Sequence, residues 1–210
     1  MRLVGRQFGE PRGLVGRLVG RAMVRGNAGF NRWVISSVAG AIGGDLTRVV
    51  ELGSGPGVGL RVLLQAFPRA QVWGIDRSPV MISQARRRNL REIQSGRLAL
   101  IEGDTSALAE LAPVDLVVAV HVLYFWHRPA TELGRIRAGL RPDGIIAIGY
   151  RLREDMPRVS QRQFPAVGHR LYDSDEQVAA LLNEAGFQGV QHTLQEPDHG
   201  SLGRLVTGKA

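Results

Sequence analysis

Residues 49–60 read VVELGSGPGVGL, and this stretch decides the fold of the chain. It begins as a short apolar strand that carries an acid, Glu51, and the pattern of residues 58–66 is that of a helix. Between the two, every second residue from 53 to 59 is glycine. Alternating glycines at a strand-to-helix turn let the backbone curl and let a ligand approach amide groups that a Cβ would shield. The stretch therefore predicts a nucleotide or nucleoside site after the first strand.

Composition narrows the class of protein. A chain of 210 residues with 44% apolar residues makes one large domain, or one domain with a cap. It has no cysteine, which excludes disulfides, thiolate metal sites and cysteine nucleophiles and fits a reducing compartment, so we expect a cytoplasmic protein. No apolar run is long enough to predict a membrane span. The net charge of +8 permits nucleic-acid binding, but no stacking module or tight basic cluster accompanies it.

Strand and helix patterns alternate from Val49 onward. Predicted strands cover residues 48–53, 71–75, 97–101, 115–120, 144–149, 188–193 and 203–208, and predicted helices cover 58–66, 79–94, 129–139 and 174–185. Alternation with short connections predicts an open sheet with helices on both faces. The least regular stretch, 151–173, is predicted to be a loop on the substrate side.

The first 45 residues differ from the rest. Residues 14–23 have apolar positions at helical spacing, in a helix that Pro11 starts, and residues 30–42 predict a second helix. Glycines at 13, 16 and 20 weaken the first helix, so we expect a mobile lid. The predicted division is a helical cap at 1–45 and a binding domain at 46–210.

Two nucleotide-binding motifs fail on this sequence. The nicotinamide fingerprint Gly-x-Gly-x-x-Gly would need glycine where Val58 or Leu60 stands, and no Gly-Lys-Ser/Thr of a P-loop follows. The second strand ends at Asp76, 19 residues after Gly57, where a carboxylate offers two oxygens to a ribose diol. Nicotinamide enzymes also place an acid there, so Asp76 alone does not decide the cofactor.

The pattern Glu-x-Gly-x-Gly-x-Gly at 51–57 resembles motif I of the class I methyltransferases that use S-adenosylmethionine. The resemblance continues through DRSPVM at 76–81, EGDT at 102–105, VHVLYFW at 120–126 and LRPDG at 140–144. It implies a Rossmann-like, doubly wound α/β fold with a seven-stranded sheet of order 3-2-1-4-5-7-6, the last strand antiparallel, and an N-terminal helical cap.

The resemblance also implies a cofactor site. In similar proteins the residue at Asp76 binds the ribose hydroxyls, that at Glu51 faces the methionine end, and that at Asp104 lies at the adenine edge. The implied cofactor contacts are Glu51, Gly53, Ser54, Gly55, Gly57, Asp76, Arg77, Met81, Gly103, Asp104, Thr105 and Val120. Alternatives stay open: the glycines serve only a tight turn, Glu51 is a buried strand-end acid, and Asp104 is a helix N-cap.

Methyl transfer from a sulfonium is an in-line displacement that needs alignment and exclusion of water, and it needs a base only if the nucleophile arrives protonated. His121 is the candidate base, with hydrogen bonding to backbone or cofactor as an equal alternative. Candidate substrate contacts are Tyr124, Phe125, Trp126, Tyr150, Arg151 and Asn27, and the first three cannot all face one way. Asn31 and Trp33 lie where similar enzymes close the cleft. We expect no metal.

The acceptor follows by elimination and by resemblance. The Asn/Asp-Pro-Pro-Tyr/Phe segment of nucleic-acid amino methyltransferases is missing after the fourth strand, and there is no cysteine for cytosine chemistry. The sequence therefore predicts a methyltransferase for a small, partly apolar acceptor that is methylated on oxygen, nitrogen or carbon, with a homodimer as one expectation. The rival hypotheses are an RNA methyltransferase that uses the basic surface and a protein that binds the cofactor without transfer.

Overall fold

The computed structural model of the protein describes residues 13–42, 45–195 and 202–210, and the described side chains begin at residue 27. The strands are Arg48–Leu52 (β1), Gln71–Asp76 (β2), Leu98–Glu102 (β3), Val114–Val120 (β4), Leu140–Tyr150 (β5), Gln188–Leu194 (β6) and Arg204–Lys209 (β7). The helices are Gly13–Ile42 (α1), Val58–Ala66 (α2), Pro79–Arg88 (α3), Leu90–Gln94 (α4), Leu108–Leu111 (α5), Pro129–Gly139 (α6), Arg158–Ala166 (α7) and Asp175–Glu184 (α8).

The strands form one sheet of order β3-β2-β1-β4-β5-β7-β6, which confirms the predicted topology. The first five strands in this order run parallel, and β7 runs antiparallel to both β5 and β6. The chain leaves β3 at one edge and returns to β4 on the other side of β1. In open α/β sheets such a reversal of strand order opens a crevice beyond the carboxyl ends of the strands. The glycine turn follows β1 and lies at that crevice.

The sheet is covered on both faces, as its apolar strands require. Every residue of β4 is buried. Neighbouring residues of β1 belong to different sides, since Val49 packs in one hydrophobic cluster and Val50 in the other. Helices α1, α2 and α3 cover the Val49 side, and α5, α6, α7 and α8 cover the Val50 side.

Helix α1 is one continuous helix of 30 residues, so the prediction of two separate helices is wrong. Its second half buries Phe30, Val34, Ile35 and Val38 against α2 and the sheet. Packing of such an apolar face outweighs a glycine penalty of about 1 kcal/mol per residue, which is why glycine does not break the helix. The predicted start at Pro11 and the first part of the predicted lid lie outside the described residues.

The packing of the Phe30 ring fixes where α1 contacts the sheet. A Cβ at Gly149 in β5 would lie 3.2 Å from Cε1 of Phe30, and a Cβ at Gly203 would lie 2.3 Å from Cε2 of the same ring. A side chain at Gly203 would thus overlap the ring, and a Cβ at Gly149 would also lie 2.7 Å from Cγ2 of Val34 on the same helix. This contact ties α1 to the ends of β5 and β7.

The predicted helix at 79–94 is divided into α3 and α4 at Asn89. The side chain of Asn89 is buried, and its Nδ2 donates hydrogen bonds to the carbonyl oxygens of Gly57 at 3.1 Å and Ala85 at 3.0 Å. A Cβ at Gly57 would lie 2.5 Å from this Nδ2. Asn89 therefore breaks the helix in order to hold the glycine turn from behind.

Asp115 fastens the start of β1 to β4. Its Oδ2 accepts hydrogen bonds from the backbone N–H of Thr47 at 2.7 Å, from the Thr47 hydroxyl at 3.0 Å and from the backbone N–H of Arg48 at 2.8 Å. Its Oδ1 lies 2.7 Å from Nε of Arg141 in β5. One carboxylate thus joins three neighbouring strands at the end of the sheet opposite the crevice.

The stretch 151–173, predicted as a loop, contains a turn of 3₁₀ helix at Arg153–Asp155 and helix α7. Phe164 of α7 is buried, and its ring centroid lies 5.5 Å from that of Phe125 and 5.9 Å from that of Tyr124. This aromatic contact gives α7 an apolar anchor that its mostly polar sequence hides. The segment therefore packs against the residues that follow β4.

None of the helices in the described part of the chain is long and apolar enough to cross a membrane.

Candidate functional site

A cleft opens beyond the carboxyl ends of β1, β2 and β4. The space between its walls is about 1020 Å³ when the open solvent at its mouth is included. The residues that line it are Asn27, Asn31, Glu51, Leu52, Gly53, Ser54, Gly55, Pro56, Val58, Ile75, Asp76, Arg77, Met81, Gly103, Asp104, Thr105, Val120, His121, Val122, Phe125 and Trp126.

The glycine turn forms the floor of the cleft. Gly53, Gly55 and Gly57 have φ angles of 64°, 52° and 79°, in the left-handed region that glycine adopts without strain. A Cβ at Gly53 would lie 2.4 Å from Cγ2 of Val122 in the opposite wall. The turn closes on itself through a hydrogen bond of 3.0 Å from the N–H of Gly57 to the carbonyl of Ser54. The glycines are thus required by both conformation and close approach.

Glu51 is a buried acid in the cleft wall. Its side chain is 3% exposed, and its Oε2 has no hydrogen-bond partner. A Cβ at Gly59 would lie 2.0 Å from Oε1, so this glycine makes room for the carboxyl group. Burial, followed by the negative charge of Asp76, raises the pKa of Glu51 well above its usual value. The free carboxyl oxygen faces a site that favours a cation or a hydrogen-bond donor.

Asp76 ends β2 and faces the same cleft. Its Oδ2 accepts a hydrogen bond of 2.8 Å from the N–H of Gly55, and its Oδ1 accepts one of 2.8 Å from the N–H of Ser78. Burial raises the pKa of Asp76, against these two hydrogen bonds and the charge of Arg77. Each oxygen keeps a lone pair, so the carboxylate holds the turn and can still accept from a ligand.

A charged cluster borders the cleft beyond Asp76. The Arg77 guanidinium lies 3.5 Å from Asp104 and 3.8 Å from Glu132, and Glu132 also accepts a hydrogen bond from the Thr105 hydroxyl. Asp104 accepts a hydrogen bond of 2.9 Å from the N–H of Ser106 at the start of a 3₁₀ helix, so the N-cap alternative for this acid is confirmed. The hydrogen bonds from Ser106 lower the pKa of Asp104. Asp104 lines the cleft as well, and the two roles coexist.

His121 marks the opposite end of the cleft. Its backbone is left-handed, with φ of 58°, and its N–H donates a 2.8 Å hydrogen bond to the carbonyl of Gly149. Its ring stacks on Phe30, with centroids 4.7 Å apart. Burial and the nearby Arg151 guanidinium lower the pKa of His121 to about 3. An imidazole of such low basicity does not suit the predicted role of general base, and the alternative of a neutral hydrogen-bonding group fits better.

The aromatic residues after β4 divide between cleft and core. Phe125 and Trp126 line the cleft. Tyr124 is buried behind them, where its hydroxyl accepts a 2.6 Å hydrogen bond from the N–H of Arg151 and donates one of 3.1 Å to the Arg151 carbonyl. The substrate contact predicted for Tyr124 is therefore wrong, because both hydrogen bonds of its hydroxyl hold the backbone at the end of β5.

Tyr150 is fully buried and does not line the cleft, so its predicted substrate contact is also wrong. Its hydroxyl lies 2.5 Å from Oδ1 of Asp175 and 3.0 Å from Nδ1 of His192. Asp175 in turn pairs with the buried Arg204, at 3.1 Å from its Nε, and Arg204 also pairs with Asp155. Tyr150 belongs to this internal network, which connects β5, β6, β7 and α8.

Residues 50–146 match the family model described as a methyltransferase domain. Over these residues, and in the strand order of its sheet, the chain is similar to class I methyltransferases. Trans-aconitate 2-methyltransferase of Azoarcus sp. (strain BH72) is 35% identical over 113 residues, which are 54% of this chain and 42% of that relative. The match thus spans less than half the length of that curated relative.

Two solved structures share the fold of this chain. The mitomycin 7-O-methyltransferase has a TM-score of 0.71 at 22% identity, over 93% of this chain and 57% of that one. Human N-acetylserotonin methyltransferase in complex with S-adenosylmethionine has a TM-score of 0.70 at 20% identity, over 92% of this chain and 55% of that one. At these identities the likeness concerns the fold.

S-adenosylmethionine, the cofactor of class I methyltransferases, fits the residues of the cleft. The cofactor carries a sulfonium and an ammonium, and the cleft carries the unpaired carboxyl oxygen of Glu51 and the carboxylate of Asp76. The left-handed turn leaves room for a ligand at Gly55, where a Cβ would have no neighbour closer than 3.9 Å. The donor set and the glycine floor are therefore those that a cationic nucleoside requires.

Of the residues predicted to bind cofactor, all but Gly57 line the cleft. It lies behind the turn against Asn89, where its role is conformational. Asn27 and Asn31 line the cleft from α1, whereas Arg151 lies behind Phe30, its Cζ 5.4 Å from the ring centroid.

Two residues that shape the site were not predicted from the sequence. Asn89, which holds the turn, is signalled only by an asparagine in the middle of a helical pattern. Phe30, which packs behind His121 of the cleft wall, is signalled by its spacing to Val34 and Val38. In the described residues no group of three histidine or acidic side chains forms a metal site.

Proposed function

We propose that this protein transfers a methyl group from S-adenosylmethionine to a small, partly apolar acceptor. The observation that carries the proposal is the continuity of the cleft. One end presents the glycine turn with the acids Glu51 and Asp76, and the other presents His121, Phe125 and Trp126. A donor and an acceptor bound at the two ends meet inside a single partly enclosed space, which is what in-line displacement needs.

The donor end would hold the cofactor through its acids. Glu51 would face the ammonium of the methionine part, Asp76 would accept from the ribose hydroxyls, and Asp104 beside Arg77 would border the adenine. When bound, S-adenosylmethionine supplies a methyl group that is already activated by its sulfonium. The protein therefore needs no catalytic triad, and its residues act by binding and orienting.

The far end would orient the acceptor and exclude water. Phe125 and Trp126 offer apolar surface, and Asn27 and Asn31, one helical turn apart on α1, offer amide groups. We propose that residues 1–45 act as a cap over the domain at 46–210, since the described part of α1 supplies this wall. A homodimer and a cytoplasmic location stay predictions of the sequence.

A screen for S-adenosylhomocysteine release tests the proposal. The panel contains trans-aconitate, for which the curated relatives are named, together with phenols, amines, aromatic acids and total RNA. We expect release with a small acceptor and none with RNA. Labelling of RNA alone would favour the nucleic-acid hypothesis, and binding of S-adenosylhomocysteine without transfer to any acceptor would favour a protein that only binds the cofactor.

A further inference from the structure

The two ends of the cleft differ in charge. Its acidic lining residues are Glu51 in β1, Asp76 at the end of β2 and Asp104 after β3, and all three stand at the donor end. The far end is lined by amides, an imidazole and aromatic rings. Among the described lining residues no acid occurs there. A cationic donor thus meets negative charge, and the acceptor meets none.

Arg151 places a positive charge beside the far end. It follows β5 directly, and the Tyr124 hydroxyl fixes its backbone through the two hydrogen bonds described above. Its guanidinium lies over Phe30, whose ring stacks on His121 in the cleft wall. The Nε of Arg151 is buried without a hydrogen-bond partner, and none of the ion pairs in the described part of the chain involves this residue.

The far end of the cleft contains no acid, and only the Phe30 ring separates it from the Arg151 guanidinium, which has no ion pair. The far end therefore favours an anion. The field of the guanidinium reaches the cleft wall, because the same charge contributes to the low pKa of His121. With its pKa lowered, this imidazole is a poor general base, and an acceptor that arrives already ionised suits the far end.

We propose that the acceptor is a carboxylic acid with an apolar body, bound as the carboxylate under the charge of Arg151 and methylated on oxygen. The inference rests on the proposed function and names its substrate class. A lone pair of the carboxylate oxygen forms the new O–C bond, the C–S bond breaks, and its electron pair stays on sulfur. The negative charge of the carboxylate and the positive charge of the sulfonium disappear together, and no proton moves. A carboxylate, with a pKa of about 4, is already ionised at neutral pH and needs no base.

The experiment offers labelled S-adenosylmethionine with four matched probes: cinnamate, cinnamamide, 4-propylphenol and phenethylamine. We expect label only in cinnamate, as a methyl ester that releases methanol in alkali, whereas ethers and methylamines resist alkali. Label confined to the phenol, the amide or the amine overturns the carboxylate inference while the proposed function stands. No label in any probe, although S-adenosylhomocysteine binds, overturns both.

Arg151→Gln tests the cation, with Arg153→Gln as the matched control. Arg153 lies two residues further along and pairs with Asp173 at the surface, so its variant removes the same charge away from the cleft. We expect Arg151→Gln to weaken calorimetric binding of cinnamate to the complex with S-adenosylhomocysteine at least tenfold, and Arg153→Gln to change it less than twofold. Unchanged affinity for S-adenosylhomocysteine shows that each variant is folded. Equal cinnamate binding in the two variants would overturn the role of Arg151.

Discussion

Replacing Asp76 with alanine perturbs the donor end in two measurable ways, and the first is stability. The carboxylate accepts from the N–H groups of Gly55 and Ser78, each at 2.8 Å. Leaving a buried N–H without an acceptor costs about 1–3 kcal/mol, so the upper range for both is about 6 kcal/mol. Loss of a carboxylate whose pKa is raised by burial offsets part of this cost, and water reaches the amides through the open cleft. We expect a net loss of about 2 kcal/mol, or about 4–8 °C in Tm for a chain of this size.

The second effect of Asp76→Ala is on cofactor binding. If the carboxylate accepts from both ribose hydroxyls, the variant loses two hydrogen bonds to a charged acceptor, each contributing about 1.5–3 kcal/mol. Water competes for the same groups, so the lower end applies. We expect the affinity for S-adenosylhomocysteine to fall roughly a hundredfold, and at least tenfold, which is about 1.4 kcal/mol.

Calorimetry with S-adenosylhomocysteine and thermal unfolding by circular dichroism measure the two effects. Glu102→Ala is the matched control, because Glu102 ends the neighbouring strand β3 opposite Asp76 and is exposed outside the cleft. We expect the control to keep wild-type affinity. An Asp76→Ala variant that binds within twofold of wild type, or equal losses in both variants, would refute the placement of the ribose.

Three further changes probe the same structure. Binding favours the carboxylate form of Glu51. Affinity for S-adenosylhomocysteine should therefore rise about tenfold per pH unit below the free-state pKa of Glu51 and level off above it. Calorimetry should find no such slope for Glu51→Gln, and a slope that persists in this variant would contradict the prediction. Because its pKa is raised in the folded state, this carboxyl stabilises the free protein below the usual glutamate pKa of about 4.3, and that stabilisation is lost as pH rises through the folded-state pKa. Denaturant titrations should find this decline in the wild type and should not find it in Glu51→Gln. Gly59→Ala should push that carboxyl into the cleft and weaken binding at least tenfold. At Gly134 an added Cβ meets nothing within 4 Å, so Gly134→Ala should keep the affinity and add up to about 1 kcal/mol of stability in urea unfolding. Equal affinities in the two variants would refute the role of Gly59 in making room for the carboxyl. Asp115→Ala should cost about 2–4 kcal/mol of stability without changing affinity, and a loss under about 0.5 kcal/mol would show that its hydrogen bonds are replaced.

The sheet was predictable from sequence because its signals are local. Buried parallel strands such as β4 are continuous apolar runs, and the glycine turn marks where the first strand gives way to a helix. The helices were harder, since their ends depend on distant partners. Asn89 divides a predicted helix in order to reach Gly57, 32 residues away in sequence, and α1 continues through glycines because its far half packs on the sheet. Such tertiary contacts override local propensity and leave little trace in a single sequence.

The residues at the donor end of the cleft were easier to predict from the sequence than those at the acceptor end. Its acids occur at strand ends, and strand ends of a parallel sheet meet at one edge, so Glu51 and Asp76 fall together. Side-chain direction decides the acceptor end, and no motif encodes it. Tyr124 and Tyr150 turn inward because their hydroxyls find buried partners, and the charge beside His121 depends on a side chain from a different strand.

The ring of Phe30 sits in a socket that Gly149 and Gly203 leave open, one in β5 and the other just before β7, a neighbour of β5 in the sheet that is distant in the chain. A side chain at Gly203 would displace the ring, and one at Gly149 would first displace Val34, so either would press on the part of α1 that carries Asn27 and Asn31. The position of this part of the cleft wall therefore depends on residues that do not line the cleft. An exchange of these two small residues in a homologous chain would change the width of the cleft there, while the residues that line it stay the same.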